Sequence, residues 1–133
     1  MSIVVDSSVL VAALIDSGPH GAWAEKVLAR GSPYAPELAR FEATNIFRRL
    51  ERAKLITTPE ANAAQDDLMQ LDMELFAFEP FAERIWELRH NMTGYDAWYV
   101  ALAEALKLPL ATLDEPLSRS KKATCEFLTP PRS

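Results

Sequence analysis

Four carboxylates, Asp6, Glu42, Asp96 and Asp114, stand where their sequence surroundings give them chemical leverage. Asp6 closes the apolar run Ile3-Val4-Val5, and Asp114 closes Leu110-Ala111-Thr112-Leu113. Asp96 opens an apolar helical segment, where the backbone dipole favours negative charge. Glu42 is the least expected of the four. At about 100° per residue, Ala39, Ala43, Ile46, Leu50 and Ala53 form one apolar stripe, and Glu42 falls inside it. An unpaired buried charge costs roughly several kcal/mol, so Glu42 requires a neighbouring cation or an opening onto a cleft. Taken singly, the other three have local explanations. Asp6 can end its strand and cap the helix behind it, Asp96 can be a first-turn acid behind a Thr93 cap, and Asp114 can be a turn residue before Pro116. Taken together, the four describe an acidic cleft.

The remaining reactive side chains offer less. Cys125 is the single cysteine, which excludes an internal disulfide and a cysteine-based zinc site; it reads as a packed small side chain. His20 and His90 lack metal-ligand spacing to each other or to an acid pair and read as surface or packing residues. Arg48, Arg49, Arg52 and Lys54 form one basic cluster, and Arg119, Lys121 and Lys122 a second. Most of these read as solvated charge. The second cluster follows Asp114 closely enough to reach phosphates near an acidic site.

The elements that must position these groups alternate in type. Ile3-Val4-Val5 reads as a buried strand. Ser7 and Ser8 then offer N-caps for a helix over residues 9–15. Ser17-Gly18-Pro19 breaks the chain, a second helix covers 20–29, and Gly31 and Pro33 stop it. The helix carrying Glu42 begins after Pro36 and runs to about residue 53, with Thr44, Arg48, Glu51 and Arg52 on its polar face. Thr58-Pro59 starts another, with Ala61, Ala64, Leu68 and Leu71 on one side. Residues 75–78 read as a strand, 80–91 as a helix, and 95–106 as a deeply packed helix. Strands follow at 110–113 and 125–128, with a polar, basic stretch at 118–122 between them. This alternation implies an α/β fold whose parallel sheet of four to five strands is covered on both faces. In such sheets ligands bind beyond the carboxyl ends of strands, where strand order reverses, and both Asp6 and Asp114 follow strands.

A chain of 133 residues suits one domain, over 1–129, with a loose tail at 130–133. The longest apolar stretch, residues 9–15, is too short to cross a bilayer. No basic segment precedes an apolar one at the start, so a signal peptide is not expected and the cytoplasm is the expected compartment. The net charge of −5 argues against a broad nucleic-acid-binding face. A site that holds a divalent ion must itself be acidic, however, so the placement of the acids matters more than their sum.

Four segments carry a resemblance to the PIN-domain family. Val4-Val5-Asp6-Ser7-Ser8-Val9-Leu10 is similar to its opening motif. Pro36-Glu37-Leu38 through Glu42, with Asn45-Ile46-Phe47-Arg48-Arg49, resembles the second. The stretch Tyr95-Asp96-Ala97-Trp98-Tyr99-Val100-Ala101-Leu102-Ala103-Glu104 resembles the third, and Ala111-Thr112-Leu113-Asp114 the fourth. The motifs stand in the family's order and span nearly the whole chain. The likeness is greatest to the VapC toxins of bacterial toxin–antitoxin pairs, which are compact single-domain ribonucleases.

The resemblance implies a three-layer α/β/α sandwich with its acidic site at the carboxyl edge of the strands. It implies Mg²⁺, with Mn²⁺ as a substitute, held by Asp6, Glu42, Asp96 and Asp114, and supporting hydroxyls at Ser8 and Thr112. Glu115, directly after Asp114, departs from the pattern and reads as a solvated loop residue. Carboxylates suit this hard cation, which lowers the pKa of a bound water so that hydroxide can attack a phosphodiester without a covalent intermediate. A small VapB-like antitoxin, a homodimer and an RNA substrate are the implied partners. Arg119, Lys121 and Lys122 are expected to position RNA, and Leu38 and Phe41, off the main stripe, to mark a partner surface. Two rivals are weaker. A phosphorylated receiver domain expects an acidic pair after strand one and a Lys after a late strand; here the first strand ends Asp6-Ser7-Ser8, and no Lys follows residues 110–113 before Lys121. A catalytically silent PIN-like RNA- or protein-binding module is expected to lose an acid, and none is missing.

Overall fold

Three consecutive β-branched residues make β1 (Ile3–Val5), a strand buried on both faces and fully enclosed. In the computed structural model, which describes residues 2–132, it is the middle strand of a five-stranded sheet. Met1 and Ser133, the outermost residues of the expected domain and tail, lie outside the described residues. The other strands are β2 (Pro33–Pro36), β3 (Glu74–Phe76), β4 (Leu110–Ala111) and β5 (Phe127–Leu128). All pairings are parallel, in the order β3-β2-β1-β4-β5. Strand order therefore reverses between β1 and β4, which pair through Val4 with Leu110 and Val5 with Ala111.

Among the described residues, seven α-helices cover this sheet as an α/β/α sandwich: α1 (Ser7–Ile15), α2 (Pro19–Leu28), α3 (Ala39–Arg52), α4 (Thr58–Gln70), α5 (Ala82–Glu87), α6 (Gly94–Leu106) and α7 (Glu115–Ser118). Helices α1 to α4 pack among themselves, whereas α5 packs on α6, and α6 lies against β1 and β2. The main core joins β1 and β4 to Val9, Leu10, Val100 and Leu102. A second, smaller core of Ala43, Phe47, Ala64 and Leu68 seals α3 and α4 onto Val11, Leu14 and Ile15 of α1.

Several local expectations are corrected. The sequence makes Pro33 a helix stop and predicts no strand beside it; in β2 the two prolines occupy the ends of the strand, where a missing donor is tolerated, and Tyr34 and Ala35 supply the interior. Of the caps the sequence offers for α1, Asp6 takes the role and Ser7 and Ser8 do not. The expected helix over 80–91 divides into a 3-10 turn (Glu79–Phe81) and α5. The buried row of α3 is Ala39, Ala43 and Phe47, an i,i+4 row rotated from the predicted stripe, while Ile46 is half-buried and Ala53 exposed. Asp114 caps the short helix α7, where the sequence predicts only a turn leading into a polar stretch.

Candidate active site

Asp6 sits where β1 ends, and its backbone N–H donates to Ala111 of β4 (3.2 Å). Asp6 is 5% exposed, and its carboxylate receives three donors. The Ser8 hydroxyl (2.5 Å) and the Val9 amide (3.2 Å) reach Oδ1, and the Thr112 hydroxyl (2.5 Å) reaches Oδ2. Both hydroxyls are themselves oriented by backbone amides: Leu113 N–H donates to Ser8 Oγ and Asp114 N–H to Thr112 Oγ1, each at 3.0 Å. Burial pushes the Asp6 carboxyl up to about 6; the Ser8, Thr112 and Val9 donors oppose this, and repulsion from Asp96 adds to it.

Glu42 lies in the first turn of α3, half-buried, and accepts a hydrogen bond at Oε1 from the Tyr99 hydroxyl of α6 (2.6 Å). Its carboxyl is raised chiefly by burial, against the Tyr99 bond, and further by Asp6 and Asp96. Asp96, in the first turn of α6, is raised by burial and then by Asp114, and its backbone N–H is capped by Thr93 Oγ1 (3.2 Å). Asp114 accepts from the Leu117 amide (3.1 Å) as the cap of α7.

The acids thus form a chain of mutual repulsion, Glu42 with Asp6 and Asp96, Asp6 with Asp96, and Asp96 with Asp114. Among the described residues, the ion pairs are Arg84 with Glu87 and Glu104, and Arg119 with Glu115; none includes any of the four. Uncompensated, partly buried carboxylates of this kind fit a divalent cation. Among the described residues no three carboxylate, His or Cys side chains converge as a ready-made metal cage. Among the described residues, the side-chain hydrogen bonds of Glu42 and Asp114 engage Glu42 Oε1 and Asp114 Oδ1, not their second oxygens.

Two clefts lie in this region, and only the first is lined by one of the four acids, Glu42. One, of about 270 Å³, is lined by Phe41, Glu42, Asn45, Ile46, Arg49 and Tyr95, so Glu42 opens onto solvent from its helix. A narrower one, of about 120 Å³, brings Arg119 and His20 beside Thr112 and Glu115. Lys121 and Lys122 are exposed further along the chain and line neither cleft. Glu115 is exposed and pairs with Arg119 at 3.5 Å. A cavity of about 440 Å³ lies at the opposite edge, beside Pro109 and Cys125 ahead of β4 and β5, and uses none of the four acids. Burial raises the Cys125 thiol to about 11, which makes it a poor nucleophile. Tyr99 is the residue that sequence reasoning missed. Its signal was a hydroxyl-bearing aromatic three residues beyond Asp96 in an otherwise apolar helix.

Residues 3–123 match the PIN domain family model. Ribonuclease VapC9 of Mycobacterium tuberculosis is 35% identical over 130 residues, which are 98% of this chain and 99% of that one. Two solved structures share the fold. PAE2754 from Pyrobaculum aerophilum has a TM-score of 0.69 at 22% identity, covering 96% of this chain and 83% of that one. VapBC2 from Rickettsia felis, bound to a DNA fragment from their promoter, has a TM-score of 0.64 at 14% identity, covering 97% and 98%.

Proposed function

Because this chain belongs to the PIN-domain family, with the VapC ribonucleases as full-length relatives, we propose that it is a Mg²⁺-dependent endoribonuclease toxin that hydrolyses RNA phosphodiester bonds. The observation that carries this reading is the chain of uncompensated carboxylates at the β1–β4 reversal, with Asp6 fixed from three directions. Asp6, Glu42, Asp96 and Asp114 would hold Mg²⁺, or Mn²⁺ in its place. When bound, the ion supplies a water of lowered pKa and neutralises charge on the phosphate. Ser8 and Thr112 commit their only hydroxyl protons to Asp6 while their oxygens accept backbone amides, so they act as supports for the acid rather than as nucleophiles. Attack therefore falls to water, and no covalent intermediate forms.

Arg119, beside Thr112, with Lys121 and Lys122 beyond it, would position RNA phosphates. A small VapB-like antitoxin is the proposed inhibitor, by likeness to the VapBC2 assembly. A homodimer is proposed through the face carrying Leu38 and Phe41, the latter 62% exposed, and a monomer in sedimentation would reject it. Among the described residues no helix is long and apolar enough to cross a membrane. By likeness to its relatives we place the protein in the cytoplasm, as one domain over residues 1–129 with a short tail.

Asp6→Asn tests the reading. Cleavage of mixed RNA in Mg²⁺ should fall by about a hundredfold or more, since even partners behind the ligands are worth about 10–100-fold, while the cooperative melt persists. A fully active variant would overturn the assignment. One alternative is a catalytically silent PIN-like RNA- or protein-binding module. It predicts RNA binding with no cleavage under Mg²⁺ or Mn²⁺ titration.

A further inference from the structure

We propose that Tyr99 is a positioning residue for this reaction, holding one oxygen of Glu42 so that the other is presented to the cation site. The inference rests on the functional reading above. Tyr99 and Glu42 stand 57 residues apart in sequence, yet the phenol donates to Glu42 Oε1 at 2.6 Å. The phenol is 2% exposed and lies on α6 three residues beyond Asp96, so one helix face supplies both an acid and the group that steadies another acid.

A buried tyrosine needs some hydrogen-bond partner, and a backbone carbonyl would satisfy it. Here the partner is a carboxylate that already bears repulsion from Asp6 and Asp96. Repulsion, together with the 270 Å³ cleft beside Glu42, gives the side chain both a reason and the room to swing outward. The phenol opposes that motion in two ways. It stabilises the ionised carboxylate, and it restricts a side chain that otherwise has considerable rotamer freedom. With Oε1 engaged, Oε2 is the oxygen left for the ion or its waters.

Mn²⁺ binding to the full chain without RNA, followed by electron paramagnetic resonance, tests the role. Tyr99→Phe keeps the ring and removes the hydroxyl; Mn²⁺ affinity should fall by about tenfold, the range typical of groups that orient metal ligands. Tyr99→Met, which also lacks the hydroxyl, should show the same loss. In a Glu42→Gln background, Tyr99→Phe should add almost nothing, because its effect passes through the carboxylate. Wild-type affinity in Tyr99→Phe, or an equal loss in both backgrounds, would overturn the proposal while leaving the metal site standing. A wild-type chain that binds no Mn²⁺ would overturn both the metal-dependent reading and this inference.

Discussion

Asp6 caps α1 through the same oxygen that receives the Ser8 hydroxyl, while its other oxygen is held by Thr112. The unfolded chain releases the Asp6 proton near 3.8 and the folded chain near 6. Between these values the native state binds the extra proton, so ionisation works against folding. The stability associated with the protonated form is complete below about 3.8 and is lost as pH rises through about 6, at a cost on the order of 3 kcal/mol. Glu42 and Asp96 shift in the same direction. Glu104 acts oppositely, since Arg84 and Thr124 more than offset its burial. Urea unfolding of the metal-free protein between pH 4 and 7 should therefore show Asp6→Asn gaining on the wild type as pH rises. A constant gap would contradict the raised carboxyl. Mg²⁺ should restore wild-type stability at neutral pH, because it binds the ionised form. The four acids stand out in the sequence because each interrupts or terminates an apolar pattern. Their local roles are present as well, for Asp6 and Asp114 are helix caps and Thr93 caps the helix of Asp96. Capping occupies one oxygen and a few amides, and leaves the repulsion among the acids intact. Tyr99 was not legible, since a tyrosine in an apolar helix looks like core until its hydroxyl partner is placed.

At the level of elements, the junction of α1 and α2 has the least slack. Gly21 is buried, and a Cβ there would stand 1.7 Å from the carbonyl oxygen of Asp16 and 3.0 Å from that of Ala12. Both obstacles are backbone, so no side chain can move aside. Gly21→Ala should cost about 3 kcal/mol or more, read as a lower urea midpoint with an unchanged slope. A wild-type midpoint would show that the two helices do not approach so closely. The alternation of strands and helices was readable because β1, α3 and α6 have strong patterns of their own. β2 was hidden because Pro33 and Pro36 are turn-formers by type; only the sheet reveals that they bracket the strand. α7 was hidden for a related reason, since four residues leave too little periodicity to detect. In α3 the polar and apolar faces were separable, but the main core took Ala39, and packing on α1 and α4 took Ala43 and Phe47, in place of the predicted row.

For the molecule as a whole, a net charge of −5 must coexist with the binding of a polyanion. Long-range attraction is then absent, and any electrostatic gain must come from local cations such as Arg119, Lys121 and Lys122. Replacing all three with Ala in an Asp6→Asn background, which keeps RNA intact, should weaken binding and flatten its log–log salt dependence by up to about 2. An unchanged slope would remove them from the interface. The sheet has a further consequence for the way the molecule meets others. Its outermost strands, β3 and β5, are only three and two residues long. So few free amides and carbonyls give an incoming strand almost nothing to template on, and edge-to-edge aggregation is discouraged. Association with any other chain is thereby directed to the helical faces, where side chains rather than backbone decide which partner is accepted.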